Sequence, residues 1–299
     1  MKWKIGQELA GKTLNRFFKK QAPSLPASVL YRLIRQKKIL VDGLAVNRLN
    51  LLLKEGTEVE IRDIDPKRPT AAQAPMVRLS ILFEDESLLV LNKPRGLSVH
   101  SGKKNTNNTL IDILKAQRPK ASFYLVHRLD RDTSGVFLVA KDRETAAALG
   151  KAFKMGQVTK TYLALVLGKP QQIQGLVAEP LDSKSALSSF RVIASTVSQE
   201  RILSVIEVKT ATGRKHQVRR HLASIGLPLA GDNDYGPWQQ NRLFQRDFRI
   251  KGFLLHSFSL SLLRPLSKME ISFKAPLPKE WQLFFPNLKE GLGTEERFG

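Results

Sequence analysis

The sequence predicts an α+β protein. A large unit with a mixed, mainly antiparallel β-sheet and flanking helices should follow a small α/β unit at the amino terminus. From about residue 77 onward, many strand-like runs are interrupted by a few helix candidates in no regular order, unlike the repeating order of a wound parallel sheet. Residues 64–76 contain three prolines and no apolar periodicity, which indicates an exposed linker. We therefore expect units at residues 1–63 and 77–299, joined by residues 64–76.

The small unit is expected to contain a helix after Pro26, with Ser28 as its N-cap. Apolar residues recur at helical spacing and should form its buried face: Val29, Leu30, Leu33 and Ile34. Three cations then lie near the opposite face, namely Arg32, Arg35 and Lys38. A turn at Asp42 and Gly43 should join extended runs at 39–41 and 44–46, and a closing strand is expected over 58–62.

The large unit shows apolar runs of strand length separated by turn residues. Strands are predicted over residues 79–83, 88–91, 123–126, 136–140, 159–167, 190–194, 203–210, 253–263 and 269–273. Helices are predicted over residues 109–117, 143–155 and 214–225.

The charge of the chain indicates a polyanionic partner. Lysine and arginine number 49 against 27 acidic residues, so the formal net charge is +22, and nucleic acid is the simplest partner for such an excess. Membrane binding is the competing explanation, but the chain shows no amphipathic anchor, no apolar run of the ~20 residues that a span needs, and no apolar core of a secretory signal at its start. The chain has no cysteine, which excludes disulfides, thiolate zinc sites and cysteine nucleophiles and is compatible with a cytoplasmic protein.

Residues 127–135, with the sequence HRLDRDTSG, place Asp130 on a short turn beside Arg128 and Arg131. Neighbouring positive charge favours the ionised carboxylate. Such a group can attack an electrophilic carbon without a general base, or stabilise a glycosyl cation. From spacing alone, a structural ion pair that holds the turn is the commoner explanation.

Two further segments hold candidate site residues. Tyr162 lies in the otherwise apolar strand of residues 160–165, where in isolation it would be a core tyrosine with its hydroxyl at the rim. Residues 212–222, with the sequence TGRKHQVRRHL, carry enough cations for an RNA-facing surface. His216 and His221 are five residues apart and do not share a helical face, so this spacing does not favour a metal site.

Together these segments resemble the RluA-type pseudouridine synthases, which isomerise uridine to pseudouridine in structured RNA. Residues 127–135 match the family signature letter by letter, and residues 92–100, 160–165 and 212–222 resemble its other motifs in the same order. The small unit resembles the alpha-L-type RNA-binding domain. Within the family the chain is most similar to the RluC and RluD branch, and the Arg131-Asp132 pair favours RluC, which modifies large-subunit ribosomal RNA.

The resemblance implies a role for each candidate residue. Asp130 is the catalytic residue, Arg128 expels the target uridine from the RNA stack, and Tyr162 stacks on the flipped base and helps remove the C5 proton. Arg219 forms the ion pair with the catalytic aspartate, although Arg214 and Arg220 are alternatives for this role. The remaining RNA-binding candidates are Arg131, Arg214 and Lys215 in the large unit and Arg32, Arg35 and Lys38 in the small unit.

The expected function is therefore that of an RNA pseudouridine synthase, an isomerase that uses neither a metal nor an organic cofactor. Its partner should be ribosomal RNA, with transfer RNA as the alternative, and we expect a cytoplasmic monomer. The sequence leaves open whether Asp130 attacks C1′ or C6. A non-catalytic RNA-binding or ribosome-assembly factor is the main alternative function, and an RNA glycosidase or nuclease is the second.

Overall fold

The computed structural model describes residues 1–23, 25, 27–62, 78–100, 109–264 and 269–288. The chain divides into a small unit, Met1–Met76, and a large unit, Val77–Gly299. The predicted linker at 64–76 lies outside the described residues, as do the side chains of Ser28 and Arg32. In the part of the chain that is described, no helix is long and apolar enough to cross a membrane.

The described residues of the small unit combine a four-stranded sheet with two α-helices and a 3₁₀ helix, Gln7–Leu9. The strands are β1 (Lys2–Lys4), β2 (Ile39–Val41), β3 (Leu44–Ala45) and β4 (Glu58–Ile61), and the helices are α1 (Leu14–Gln21) and α2 (Ala27–Arg35). The sheet order is β1-β4-β2-β3, and each of these pairings is antiparallel.

The predicted buried face of α2 is confirmed, since Val29, Leu30, Leu33 and Ile34 all lie in the apolar core of the small unit. The predicted N-cap is wrong. The helix already begins at Ala27, a strong helix former, so Ser28 lies inside it. The predicted turn is confirmed, and both of its residues adopt positive φ, +49° at Asp42 and +78° at Gly43, as a tight two-residue hairpin requires.

The large unit is built on a ten-stranded sheet, with four α-helices and a 3₁₀ helix, Lys279–Leu283, among its described residues. Its first strands are β5 (Ser80–Glu84), β6 (Leu88–Lys93), β7 (Tyr124–Leu125), β8 (Thr133–Ala140) and β9 (Thr159–Leu167). The later strands are β10 (Gln174–Val177), β11 (Ser188–Ser198), β12 (Arg201–Thr210), β13 (Leu255–Leu263) and β14 (Glu270–Lys274). The helices are α3 (Leu110–Gln117), α4 (Arg143–Lys154), α5 (Gln217–Ser224) and α6 (Trp238–Asp247).

The strand order is β10-β11-β12-β9-β13-β8-β6-β5, with β14 beside β13 and β7 beside β8. The pairing of β13 with β8 is parallel and the other described pairings of this sheet are antiparallel, so the predicted α+β class with a mainly antiparallel sheet is confirmed. In register, Thr133 at the start of β8 faces Leu255 on β13, and Ser257 on β13 faces Tyr162 on β9. The sheet therefore brings the end of the Asp130 turn close to Tyr162.

Helices α5 and α6 cover opposite faces of this sheet. Side chains of a strand alternate between faces. On β9, Ala164 packs in the same apolar cluster as Leu222 of α5, whereas Leu163 and Leu165 pack in the cluster that contains Phe244 of α6. Each helix is thus fixed to the central strands of the sheet through its own cluster.

Two differences from the sequence prediction concern these helices. The helix predicted over 214–225 begins only at Gln217, because His216 adopts a left-handed conformation with φ of +54° and interrupts the helix there. The sequence does not predict helix α6, because only Asn241 and Phe244 among its residues are buried and this leaves too little apolar periodicity to detect.

We expect Gly135→Ala to lower the free energy of unfolding by about 2–4 kcal/mol. Gly135 has a φ of +105°, and an added Cβ would lie 2.1 Å from the carbonyl oxygen of Ser257, across the parallel β8–β13 pairing. Urea unfolding of the full chain would measure the loss. The matched control is Gly150→Ala in α4, where the new Cβ meets nothing within 4 Å and should stabilise the helix by about 0.5–1 kcal/mol. Equal effects of the two substitutions would contradict the close approach.

Candidate active site

Asp130 lies on the turn that leads into β8, and backbone donors fix this turn from two sides. The carbonyl of Asp130 accepts the N–H of Thr133 at 3.2 Å, and the carbonyl of Arg131 accepts the N–H of Gly96 at 2.9 Å. The ammonium group of Lys93 donates to the same Arg131 carbonyl at 3.1 Å. Residues 92–100 therefore form a support beneath the turn.

Lys93 is fully buried and links residues 94–97 to the Asp130 turn through hydrogen bonds. Besides the Arg131 carbonyl, its Nζ donates to the carbonyls of Pro94 at 3.0 Å and Leu97 at 2.8 Å. Burial lowers the pKa of Lys93 to about 7, although the charges of Asp132 and Asp130 act in the opposite direction. Three carbonyl acceptors around one amine hold the backbone of residues 94–97 against the Asp130 turn.

His127 anchors the other end of the signature run. Its ring stacks between Phe137 and Phe153, with centroids 4.6 and 4.8 Å away, and its Nε2 accepts the N–H of Leu138 at 2.9 Å. Burial lowers the pKa of His127 to about 3, with a smaller contribution from Lys160. The ring therefore stays neutral at physiological pH, as its role as an acceptor requires.

The carboxylate of Asp130 is 19 % exposed and lies where two cavities meet. These cavities measure about 150 and 340 Å³ and share five lining residues: Arg128, Leu129, Asp130, His216 and Arg219. The two carboxylate oxygens face different partners, with Oδ2 3.6 Å from Nη1 of Arg219 and Oδ1 3.7 Å from Nε2 of His216. A partly open carboxylate between basic groups is suited to attack on a ligand bound in these cavities.

Arg219 projects from α5 and is almost completely buried. Its Nε and Nη2 donate to the two carboxylate oxygens of Asp232 at 2.7 and 2.8 Å, and Nη2 also donates to Asp234 at 2.7 Å. The guanidinium lies over the rings of Tyr235 and Phe253, at 4.8 and 4.3 Å from their centroids. Burial alone would lower the pKa of Arg219, but the hydrogen bonds of Asp232 and Asp234, together with the charges of Asp232 and Asp130, outweigh it and hold this pKa above its ordinary value.

Tyr162 is half-buried on β9 and lines the 150 Å³ cavity together with Asp130. Its strand neighbours are Val208 on β12 and Ser257 on β13. Burial, followed by the charge of Asp130, raises the pKa of Tyr162 well above its ordinary value. The phenol therefore keeps its proton at neutral pH and presents a neutral ring to the cavity.

The loop before α5 carries Arg214, Lys215 and His216 into the same cavity. Buried Gln217 shapes this loop, because its Oε1 accepts the N–H of Arg214 at 3.0 Å. The loop is also tied to β9, since Nζ of buried Lys160 donates to the carbonyl of Thr212 at 2.9 Å. Arg214 and Lys215 thus lie on a loop of fixed shape and not on the helix that the sequence predicted.

The site brings together most of the residues named from the sequence. Asp130, Tyr162, Arg128, Arg214, Lys215 and Arg219 line the 150 Å³ cavity, and Arg131 lines the 340 Å³ cavity. In the small unit, Arg35 is exposed and Lys38 is half-buried, while the side chain of Arg32 lies outside the described residues. Within the described residues, no group of three histidine or acidic side chains is placed to hold a metal ion.

Sequence reasoning missed the two aspartates that bind Arg219, Asp232 and Asp234. A signal was present, because Asp232 and Asp234 are the first acidic residues that follow Arg219 in the chain. It also missed His216 as a neighbour of Asp130. Its Nδ1 lies 2.9 Å from the hydroxyl of Tyr235, and burial lowers its pKa, a change that Asp130 opposes.

Comparison with known proteins identifies the family. Residues 87–224 match the RNA pseudouridylate synthase family. The protein named ribosomal large subunit pseudouridine synthase C of Vibrio cholerae is 33% identical, over 91% of this chain and 92% of the relative. The chain belongs to the RNA pseudouridylate synthase family. The protein of the same name from Salmonella typhi is 32% identical to this pseudouridylate synthase, over 92% of each chain.

Solved structures give the same family and fold for the large part of this pseudouridylate synthase. Human RNA pseudouridylate synthase domain containing 1 matches with a TM-score of 0.57 and 26% identity, over 72% of this chain and 88% of the human chain. Human RNA pseudouridylate synthase domain containing 4 matches with a TM-score of 0.55 and 26% identity, over 71% of this chain and 92% of the human chain. The family predicted from the motifs is thus confirmed, and with it an isomerase that acts on RNA.

The buried network of this pseudouridylate synthase predicts a large cost for Asp232→Asn. The substitution leaves the Arg219 guanidinium without its two-oxygen partner, and breaking a buried ion pair costs about 3–5 kcal/mol. Urea unfolding of the full chain would measure it. Glu207→Gln is the matched control, because its pair with the largely exposed Arg191 at 3.3 Å should contribute less than about 1 kcal/mol. Similar losses for both variants would show that the Asp232 pair is not structurally important.

Proposed function

We propose that this chain isomerises uridine to pseudouridine in large-subunit ribosomal RNA, with Asp130 as the group that attacks the target nucleotide. The observation that carries this proposal is the partly open Asp130 carboxylate at the junction of two cavities, facing the buried Arg219. The choice of ribosomal RNA is supported by relatives named ribosomal large subunit pseudouridine synthase C. Transfer RNA is the alternative substrate.

The proposed reaction needs one nucleophile and a closed space. The Asp130 carboxylate forms a bond to the nucleotide at C1′ or C6, the bond between C1′ and N1 breaks, and the uracil turns so that C5 joins C1′. The bond to Asp130 breaks before the product leaves, which returns the free carboxylate. Loss of the C5 proton and protonation of N1 then restore the aromatic base. A detached uracil must be held until it recombines, and a cavity of about 340 Å³ beside Asp130 supports such confinement.

We assign Arg128 and Tyr162 to handling the base. An enzyme cannot reach C1′ or C6 of a stacked nucleotide, so the target uridine must leave the stack. Arg128 is exposed and lines both cavities, a position suited to filling the space that the uridine vacates. Tyr162 offers a neutral ring for stacking. The resemblance also implies that Tyr162 helps remove the C5 proton, a step for which the phenol would first have to lose its own proton, and its raised pKa opposes that loss.

We assign the remaining cations of the large unit to the RNA backbone. Lys215 and Arg131 are exposed, and Arg214 is half-buried with its Nε donating to the carbonyl of Ser185 at 2.9 Å. Arg131 is bonded to Asp132 at 3.1 and 3.3 Å, yet its side chain is 60 % exposed. Arg214 and Lys215 line one of the cavities beside Asp130 and Arg131 lines the other, so all three are near enough to contact phosphates on either side of a flipped nucleotide.

We also propose that the small unit is an alpha-L-type RNA-binding domain. Two helices beside a small sheet, and 13 lysine and arginine residues against six acidic residues in positions 1–63, support this assignment. An enzyme of ribosomal RNA works where ribosomes assemble, so we place it in the cytoplasm. That it is a monomer stays a prediction, which light scattering would check.

The role of the small unit predicts a change in salt dependence. Affinity for RNA falls as salt rises, and replacing Arg35 and Lys38 together by glutamine should make this fall shallower. The magnitude of the slope of log affinity against log salt should decrease by about 0.7–0.9 for each phosphate that the two side chains neutralise. Filter binding to ribosomal RNA transcripts at salt concentrations of roughly 50 to 300 mM would give the slope, because counterion release changes affinity measurably over this range. Lys54→Gln, at an exposed position of the same unit, is the control. A slope that the double substitution leaves unchanged would count against this surface.

The catalytic assignment predicts that Asp130→Asn abolishes tritium release from RNA labelled at uridine C5. Removing a nucleophile lowers the rate by at least about 10³-fold. The substrate is an unmodified transcript of large-subunit ribosomal RNA, with transfer RNA tested in parallel. Asp182→Asn, which changes a largely exposed aspartate, should retain full activity.

Several outcomes separate the candidate functions. Equal release by wild type and Asp130→Asn would remove Asp130 from catalysis. Binding without release by the wild type would favour the RNA-binding or assembly factor. Base loss or strand cleavage in place of pseudouridine would favour a glycosidase or nuclease. Mapping pseudouridine in a strain that lacks the protein would identify the modified uridine.

A further inference from the structure

A groove of about 930 Å³ lies next to the Asp130 site in the large unit. It is bounded by the loop of residues 231–234, whose aspartates bind Arg219, by helix α6 and by residues 250–253. Five residues line both this groove and the 340 Å³ cavity of Asp130: Arg131, Asp132, Arg219, Asp234 and Phe253. The groove is therefore continuous with the active site, and an RNA strand that places a uridine at Asp130 can run into it.

The charge of the groove favours a polyanion. Its three acidic lining residues are already bonded, Asp132 to Arg131 and both Asp232 and Asp234 to Arg219. Three further cations line the groove: Arg242, Arg246 and Lys251. Arg246 also bonds Asp247 at 2.9 Å, but 73 % of its side chain is exposed. Positive charge thus remains available on the α6 side, where it can meet RNA phosphates.

Trp238 gives the groove an exposed aromatic surface. It is the first residue of α6 and is 57 % exposed, although burying an indole normally stabilises a protein. The guanidinium of Arg242 lies 5.2 Å from the ring centroid, so an aromatic face and a cation are offered together. Stacking of bases on aromatic side chains beside basic residues is the usual way in which proteins bind single-stranded nucleic acid.

Helix α6 is firmly fixed to the loop that carries the partners of Arg219. Buried Asn241 accepts the N–H of Gly231 at 2.7 Å and donates to the carbonyl of Asp232 at 2.6 Å. Gln245 donates to the carbonyl of Gly231 at 2.7 Å. Trp238 and Arg242 therefore keep a set position relative to Arg219, as a subsite adjoining a catalytic centre must. The helix lies beyond residues 87–224, the part that matches the family.

We propose that this groove is an RNA subsite that binds the single-stranded nucleotides on one side of the target uridine, with Trp238 stacking on a base and Arg242 and Lys251 contacting phosphates. The proposal rests on the proposed function, because it takes the uridine at Asp130 as its starting point. It assigns α6 to substrate binding and gives it no part in the bond-making steps.

Trp238→Ala tests the stacking. With a fluorescein-labelled, uridine-rich single-stranded RNA of about 12 nucleotides, the dissociation constant should rise about 10-fold, the effect of removing the platform for one stacked base. Trp238→Phe should recover most of the affinity, which a merely structural role of the indole would not predict. Ile173→Ala, which removes another exposed apolar side chain of the large unit, is the control and should bind as the wild type does. Equal affinity of wild type and Trp238→Ala would overturn the proposal.

Arg242→Gln tests the phosphate contact. The magnitude of the slope of log affinity against log salt should decrease by about 0.7, the value for one phosphate contact to a single strand. Lys169→Gln is its control, because this exposed lysine follows the end of β9 that is remote from Tyr162. An equal fall in slope for both variants would reduce the effect to general charge and contradict a specific contact.

Kinetics on ribosomal RNA separate the subsite from the proposed function. With an unmodified transcript, Trp238→Ala should raise KM about 10-fold and leave kcat unchanged, since one stacked base contributes to binding and not to chemistry. Shortening the transcript from one end, and not the other, should abolish this difference. A wild type that forms no pseudouridine would contradict the proposed function, while the short-RNA binding would still test the groove. A wild type that is active, beside a Trp238→Ala variant with unchanged KM, would overturn the subsite alone.

Discussion

The guanidinium of Arg219 is charged and buried, so the surrounding structure must supply acceptors and negative charge for it. Asp232 supplies two oxygens and Asp234 a third, while the rings of Tyr235 and Phe253 lie against its faces. These partners come from the loop after α5 and from the segment before β13. One buried cation therefore fixes the relative positions of both segments, and the walls of the cavities beside Asp130 depend on it.

The same network leaves the Asp130 carboxylate available. The resemblance implied that Arg219 pairs with the catalytic aspartate, and the two do face each other at 3.6 Å. This separation exceeds the 2.7 Å of the Arg219–Asp232 and Arg219–Asp234 contacts. A carboxylate held by two short hydrogen bonds would lose nucleophilicity and freedom to move. Because Asp232 takes the bidentate position, Arg219 can orient Asp130 by charge without binding both of its oxygens.

Patterns that act over a few residues were predictable, and contacts between distant segments were not. The apolar run of β9 and the spacing of Val29, Leu30, Leu33 and Ile34 each report burial, which local patterns encode. The signature run predicted a catalytic role for Asp130 through resemblance. By contrast, the left-handed His216 contacts a residue 19 positions further along the chain, the hydroxyl of Tyr235, and no local pattern reports such a contact. Helix α6 is held by one buried aromatic side chain, Phe244, and by hydrogen bonds of Asn241, a combination that leaves no apolar periodicity in the sequence.

The basic side chains of this protein have two separate uses. Lys93 and Lys160 are both buried. Lys93 donates to a backbone carbonyl in the turn of Asp130, and Lys160 donates to one in the loop before α5. Removing either amine would leave carbonyls without donors in the interior, which is costly. Exposed cations such as Arg128 have no such constraint and can meet RNA. The net charge of +22 therefore does not come only from side chains that can contact RNA, because some of the basic residues are buried and hold loops in place.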